Sequence, residues 1–157
     1  LPEDGTLRIR PLRELRKLRY DERTAEDIRI ADGTLHRLDA IAGDTLELDV
    51  SIRPGGASEC GVRVSCDQHG NGLPITYHAE HDVLSVGDVR APLALENGQA
   101  LNLRIFLDRG MVEVFANDRR SLVSAHPHEG RDTGVALFSR SGDIEARVTG
   151  WQMKSIY

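Results

Sequence analysis

Aromatic rings are scarce in this 157-residue chain, with one Trp, three Tyr and three Phe, 4% of its residues. That leaves few positions for a base-stacking surface or an aromatic sugar platform. Cysteine is scarcer still. Cys60 and Cys66 bracket the stretch CGVRVSC. In an extended chain they stand about 20 Å apart, far beyond the roughly 4.4–6.8 Å between Cα atoms that a disulfide spans. Their even spacing places both on one face of a strand, as two half-buried free thiols. Cysteine usage therefore leaves the compartment open between cytoplasmic and secreted. No apolar run approaches the roughly 20 residues of a membrane-spanning helix, and Leu1-Pro2-Glu3-Asp4 is the wrong start for a secretory signal. The lack of an initiator Met points to a fragment or a processed piece. An excess of positive charge is missing as well: 20 Lys and Arg against 25 Asp and Glu give a formal net charge of -5. Binding nucleic acid requires a basic face to displace counterions, so neither a nucleic-acid nor a membrane partner is expected.

What is present is the composition of a globular domain, 39% hydrophobic and 29% charged, long enough to bury roughly 70% of its unfolded surface without a metal or disulfide staple. The first stretch differs from the rest. In the segment from Pro11 to Arg19, Leu12, Leu15 and Leu18 recur every third residue on one side of a short helix, with Pro11 suited to the first helical position. Arg13, Arg16, Lys17 and Arg19 form a solvated or salt-bridging opposite side. From about residue 28 the period changes to two. Leu46, Leu48, Val50 and Ile52 alternate with Glu47, Asp49 and Ser51. Leu101, Leu103, Ile105 and Leu107 alternate with Asn102, Arg104 and Phe106. Val62, Val64, Ile75, Tyr77, Val135, Leu137, Ile144, Ala146 and Val148 continue the series, with turn clusters at Pro54-Gly55-Gly56 and at 67–72. Ten to twelve short half-buried strands without intervening helices predict an all-β chain folded as a two-sheet antiparallel β-sandwich of the lectin-like, jelly-roll kind. The expected organisation is a linker over 1–27 with its short helix at about 11–19, then the sandwich over 28–157.

The search for chemistry yields little. His78 and His81 fall on opposite faces of a strand, and His126 and His128 have the right parity but no third ligand nearby. The loop from Asp67 resembles a calcium loop until its third position, His69, and its twelfth, His78, where a bidentate Glu is required. Glu47 and Asp49 read as the solvent face of a strand, not as a catalytic carboxylate pair. The expectation is no catalytic residue, no metal and no cofactor, with substrate-binding residues unassigned.

One stretch is distinctive. The strand pair from Leu103 to Arg119, LRIFLDRGMVEVFANDR, resembles the C-terminal module of glycoside hydrolase family 32, the invertases, levanases and inulinases, where it reads approximately L-R-V-F-V-D-R-S-x-V-E-V-F-x-N-D-G-R. The closing Trp151-Gln152-Met153-Lys154-Ser155-Ile156-Tyr157 and the opening Pro11 to Arg19 are similar to that module's last strand and linker. Two departures stand out: Gly110 replaces a Ser, and Arg119-Arg120 replaces Gly-Arg after Asn117-Asp118, where a favoured hairpin turn would carry Gly. The resemblance implies a non-catalytic module, whose partner is an N-terminal five-bladed catalytic propeller of the same polypeptide carrying N-D-P-x-G, R-D-P and Glu-Cys motifs. Here Arg131-Asp132 is followed by Thr133, and Glu59-Cys60 lies in the sandwich register without its partners. The resemblance makes Leu12, Leu15 and Leu18 candidate domain-docking residues. Alternatives remain open: autonomous binding of a fructan or sucrose-type sugar, a homo-oligomer surface, and an unrelated lectin or adhesin. Tyr77, Phe115 and Trp151 are expected to pack, which leaves few rings free for a sugar.

Overall fold

The computed structural model describes residues 5, 7–127 and 130–155; Leu1 to Asp4, His128, Ile156 and Tyr157, named above, lie outside them. Among the described residues a 3-10 helix, Arg13–Leu18, precedes twelve strands. They are β1 (Arg19–Ile30), β2 (Leu35–Ala42), β3 (Thr45–Arg53), β4 (Glu59–Cys66), β5 (Leu73–His78), β6 (Val83–Val86), β7 (Val89–Pro92), β8 (Leu101–Asp108), β9 (Met111–Ala116), β10 (Arg120–Ala125), β11 (Gly134–Arg140) and β12 (Ile144–Met153). They form two six-stranded antiparallel sheets, the first in the order β1-β12-β3-β8-β9-β10, the second β2-β11-β4-β5-β6-β7. The expected sandwich is therefore the observed one.

Alternation builds the core. Leu48 lies opposite Ile105 and Val50 opposite Leu103, and β9 continues the layer with Val114 opposite Ile105. Val62, Ile75, Leu84 and Leu137 meet them from the second sheet, all fully buried. Burying one such aliphatic side chain contributes about 1.5–3 kcal/mol, so the facing layers supply the main driving force. Gly61 is required where β4 passes β5, since a Cβ there would stand 1.9 Å from the Ile75 carbonyl oxygen.

Three local expectations change. First, the strand region opens at Arg19, well before 28, so the later part of the expected 1–27 linker is ladder. β1 pairs with β12 from Arg19 opposite Met153 onward, but two register shifts interrupt it, with Asp21 and Asp27 at positive φ. Bulges of this kind scramble the inside–outside alternation and hide the strand. Second, the cysteines do not share a face. Arg63 to Cys66 of β4 oppose only Gly134 to Ala136 of β11, and Ser65 sits at φ 52. The bulge leaves Cys60 in the core cluster and Cys66 outside it, both free and buried, not half-buried. Third, the turn after β9 absorbs the missing glycine. Asn117 and Asp118 both adopt positive φ, 48° and 55°, and the Arg119 N–H closes onto the Ala116 carbonyl at 2.8 Å. The central pair is thus Asn-Asp, which tolerates the left-handed region, and Arg119 stands outside it. Gly110, where the resembling family carries Ser, occupies φ 102 in the preceding hairpin.

Candidate functional site

The outer face of the first sheet carries two adjacent cross-strand rows. One runs Trp151–Glu47–Phe106, the next Thr149–Asp49–Arg104–Phe115. Parity put Glu47 toward solvent, yet its side chain is 1% exposed. The cause lies far away in sequence. Arg19 donates to both Glu47 oxygens, from Nε at 2.7 Å and Nη2 at 2.5 Å, and Arg104 Nη1 adds a third bond at 2.6 Å. Arg104 Nη2 also reaches Asp49 Oδ2 at 3.2 Å. Burial pushes the Glu47 carboxyl upward, but the hydrogen bonds from Arg19 and Arg104 outweigh it and hold the group below its ordinary range. Its hydrogen bond to Glu47 in turn raises Arg19. The Arg19 guanidinium lies 4.0 Å from the centre of the Trp151 ring, whose indole N–H donates to Glu22.

Above these rows the chain forms a strap. The Ile9 N–H donates to the Asp118 carbonyl, and Arg10 pairs with the Asp118 carboxylate at 2.7 Å. The chain then runs through the 3-10 helix to Arg19, crossing diagonally from the β9–β10 turn to the opposite edge of the sheet. With three residues per turn, the 3-10 helix keeps Leu15 and Leu18 in line. Pro11 precedes the cap residue, Leu12, so it does not hold the first helical position. Leu12 is 72% exposed, and Leu15 and Leu18 are half-buried. None of the three lies in the sandwich core. Between strap and sheet lies a groove of about 480 Å³, lined by Arg13, Arg16, Asp49, Arg104, Phe106 and Phe115 among others. Phe106 and Phe115 meet edge to face, with centroids 6.1 Å apart.

Of the rings expected to pack, Tyr77 is buried in the core, whereas Phe115 and Trp151 are half-buried on this outer face. Glu47, Arg19 and Arg104 were not foreseen as a group. Only the basic residues of the 11–19 segment and one acidic position on an alternating strand hinted at them.

On the other sheet, Glu59 is committed within the sandwich. His78 Nδ1 lies 3.1 Å from Glu59 Oε1, Arg140 pairs with Glu59 Oε2 at 3.0 Å, and His78 Nε2 lies 2.9 Å from Ser85 Oγ. Cys60 beside it packs in the core, and burial pushes its thiol up to about 12. His81 falls in the turn after β5. The Asp67 carboxylate accepts the Asn71 and His69 backbone N–H groups and the Asn71 side chain, which holds it below the usual range. It closes its own loop. Among the described residues no group of three His, Cys, Asp or Glu could hold a metal ion, and no helix is long and apolar enough to cross a membrane.

Comparison with known proteins gives a consistent result. The family model "Glycosyl hydrolases family 32 C terminal" matches residues 14–154. A levanase of Bacillus subtilis is 26% identical over 87% of this chain and 23% of its own length. A sucrose-6-phosphate hydrolase of Staphylococcus xylosus is 26% identical over 97% of this chain and 33% of its own. The chain thus spans a third or less of these relatives. The solved structure of a sucrose-6-phosphate hydrolase from Lactobacillus gasseri shares the fold with a TM-score of 0.75, at 21% identity, covering 99% of this chain and 32% of that one.

Proposed function

Because the chain belongs to the C-terminal family of the family 32 glycosyl hydrolases, we propose that it is the non-catalytic support module of a β-fructosidase-type enzyme. In this reading a catalytic propeller precedes it in the same polypeptide and cleaves sucrose or fructans. The names of its relatives, a levanase and a sucrose-6-phosphate hydrolase, support that substrate class. The observation that carries the docking role is the strap. It is fixed to the sheet at Asp118 and Glu47, yet holds Leu12 72% exposed. A large apolar side chain displayed on an anchored segment fits a surface that another domain covers. The ion pairing of Glu59 with Arg140, and its hydrogen bond with His78, support the non-catalytic part, since a general acid needs its carboxyl free for the substrate.

The test has two arms. The chain alone, assayed on sucrose and inulin for released reducing sugar, is expected to show no turnover above background; steady hydrolysis would end the support reading. Titration against a separately produced family 32 propeller is expected to show binding that Leu12→Asp weakens at least about tenfold, a loss of some 1.4 kcal/mol. Equal binding by the variant would remove Leu12 from the interface.

A further inference from the structure

We propose that the groove between the strap and the first sheet is a binding site for a phosphorylated sugar. One chain forms the whole groove, and Leu12 and Leu15 of the docking reading line it as well, so the site proposed is that of this chain on its own. Its volume, about 480 Å³, lies within the roughly 300–1,000 Å³ of small-molecule sites. Apolar and polar lining meet there, with Leu12 and Leu15 on the strap side. Phe106 and Phe115 give an apolar wall to the carbon face of a sugar ring. Beside them the Asp49–Arg104 pair offers planar polar groups for hydroxyls, with Arg104 engaging Asp49 through Oδ2 alone among the described residues. Glu47 is fully buried and fully bonded, so it fixes the aim of Arg104 and is itself spent.

The charge pattern narrows the class. Arg10 is matched by Asp118, Arg19 by Glu47, and Arg104 by Glu47 and Asp49. Arg13 and Arg16 also line the groove and make no ion pair among the described residues. Two unmatched guanidinium groups beside an aromatic wall, on a chain of net charge -5, suit a ligand with a ring at one end and a phosphate at the other. Guanidinium meets phosphate in two-point fashion, which makes arginine apt for that end. A protein segment fits less well. It would have to thread beneath a strap tied at Asp118 and again at Glu47.

Calorimetric titration and amide NMR on the whole chain test this with four probes: fructose 6-phosphate, fructose, inorganic phosphate and hexaglutamate. Fructose 6-phosphate is expected to bind at least about tenfold more tightly than fructose or phosphate alone, with shifts at Asn102, Arg104 and Phe115. In the Arg13→Gln/Arg16→Gln double variant, whose melting point should be unchanged, the preference over fructose disappears. Phe115→Leu weakens fructose 6-phosphate and leaves phosphate unaffected. Heats no larger than dilution overturn the proposal. So does inorganic phosphate binding as tightly as the sugar phosphate, which would mean charge attraction only. Binding of hexaglutamate without the sugar phosphate overturns it in favour of an acidic protein surface.

Discussion

Replacing Glu47 with Gln would test whether a buried carboxylate joins strap and sheet. The substitution keeps the shape, removes the charge and turns one acceptor into a donor facing guanidinium N–H groups. Three short bonds are involved, at 2.5, 2.6 and 2.7 Å. Hydrogen bonds to charged groups contribute about 1.5–3 kcal/mol each, which would suggest a large total. Two facts reduce it. The arginines are 17% and 24% exposed and regain water. Arg104 also keeps Asp49, and Arg19 keeps the Trp151 ring. A net loss of about 2–3 kcal/mol follows, below the 3–5 kcal/mol of breaking a fully buried pair. For a domain of this size that lowers the melting temperature by about 5–10 °C. Urea unfolding followed by the fluorescence of Trp151, the chain's one Trp, reads it directly. The pH dependence adds a second check. The folded-state pKa of Glu47 is lowered, so its stabilisation is present above the ordinary Glu value of about 4.3 and is lost as pH falls through the lower folded value. The gap between wild type and Glu47→Gln should therefore narrow below about pH 4. A loss under about 1 kcal/mol, or a gap that stays constant from neutral to strongly acidic solution, would refute the reasoning.

Gly61→Ala should leave little folded protein at 37 °C, or lower the melting point by more than about 6 °C, because the new Cβ meets the Ile75 carbonyl and backbone must move; circular dichroism on heating reports it, and an unchanged melt would contradict the close approach. Burial pushes the Cys60 and Cys66 thiols up, to about 12 and about 11, so at pH 8 a thiol reagent should label both only at the rate of unfolding; rapid labelling of the native chain would place a thiol at the surface. The same raised values mean their contribution is intact below the free-thiol value of about 8.5 and fades as pH rises toward the folded ones, so urea midpoints should decline across that alkaline window. Leu12→Asp, in contrast, should change the stability of the isolated chain by less than about 0.5 kcal/mol, measured by the same urea melt; a larger loss would mean that Leu12 supports the sandwich itself.

The alternating strands were legible because each buries one face, and period two survives translation into structure wherever the ladder is regular. β3 and β8 are such cases, with Leu48 opposite Ile105 as the hydropathy pattern demands. β1 was not legible. Its inward residues fall out of step at Asp21 and Asp27, so that only Ile28 and Ile30 are buried. β2 was hidden likewise, with Leu38 and Ile41 buried at a spacing of three. The outer-face cluster was harder still. Parity assigns a residue to a face but says nothing of what later covers that face. Glu47 becomes buried because Arg19, 28 residues earlier at the start of β1, lies over it, and only three-dimensional structure brings them together. The short helix was legible from the leucine spacing, but only Leu15 and Leu18 fall inside it; Leu12 is its extended cap residue and stands 72% exposed.

The strap also decides how the domain carries load. Tension applied at residues before Ile9 does not pull first on β1, which could unzip from β12 one bond at a time. It reaches the β9–β10 turn through Ile9 and Arg10, then the middle of the sheet through Arg19 and Glu47, before it meets the edge. Those anchors lie on a hairpin turn and on a central strand, so the sheet would resist by shear across its width, in which several bonds fail together. Under such tension, shearing is expected in place of peeling.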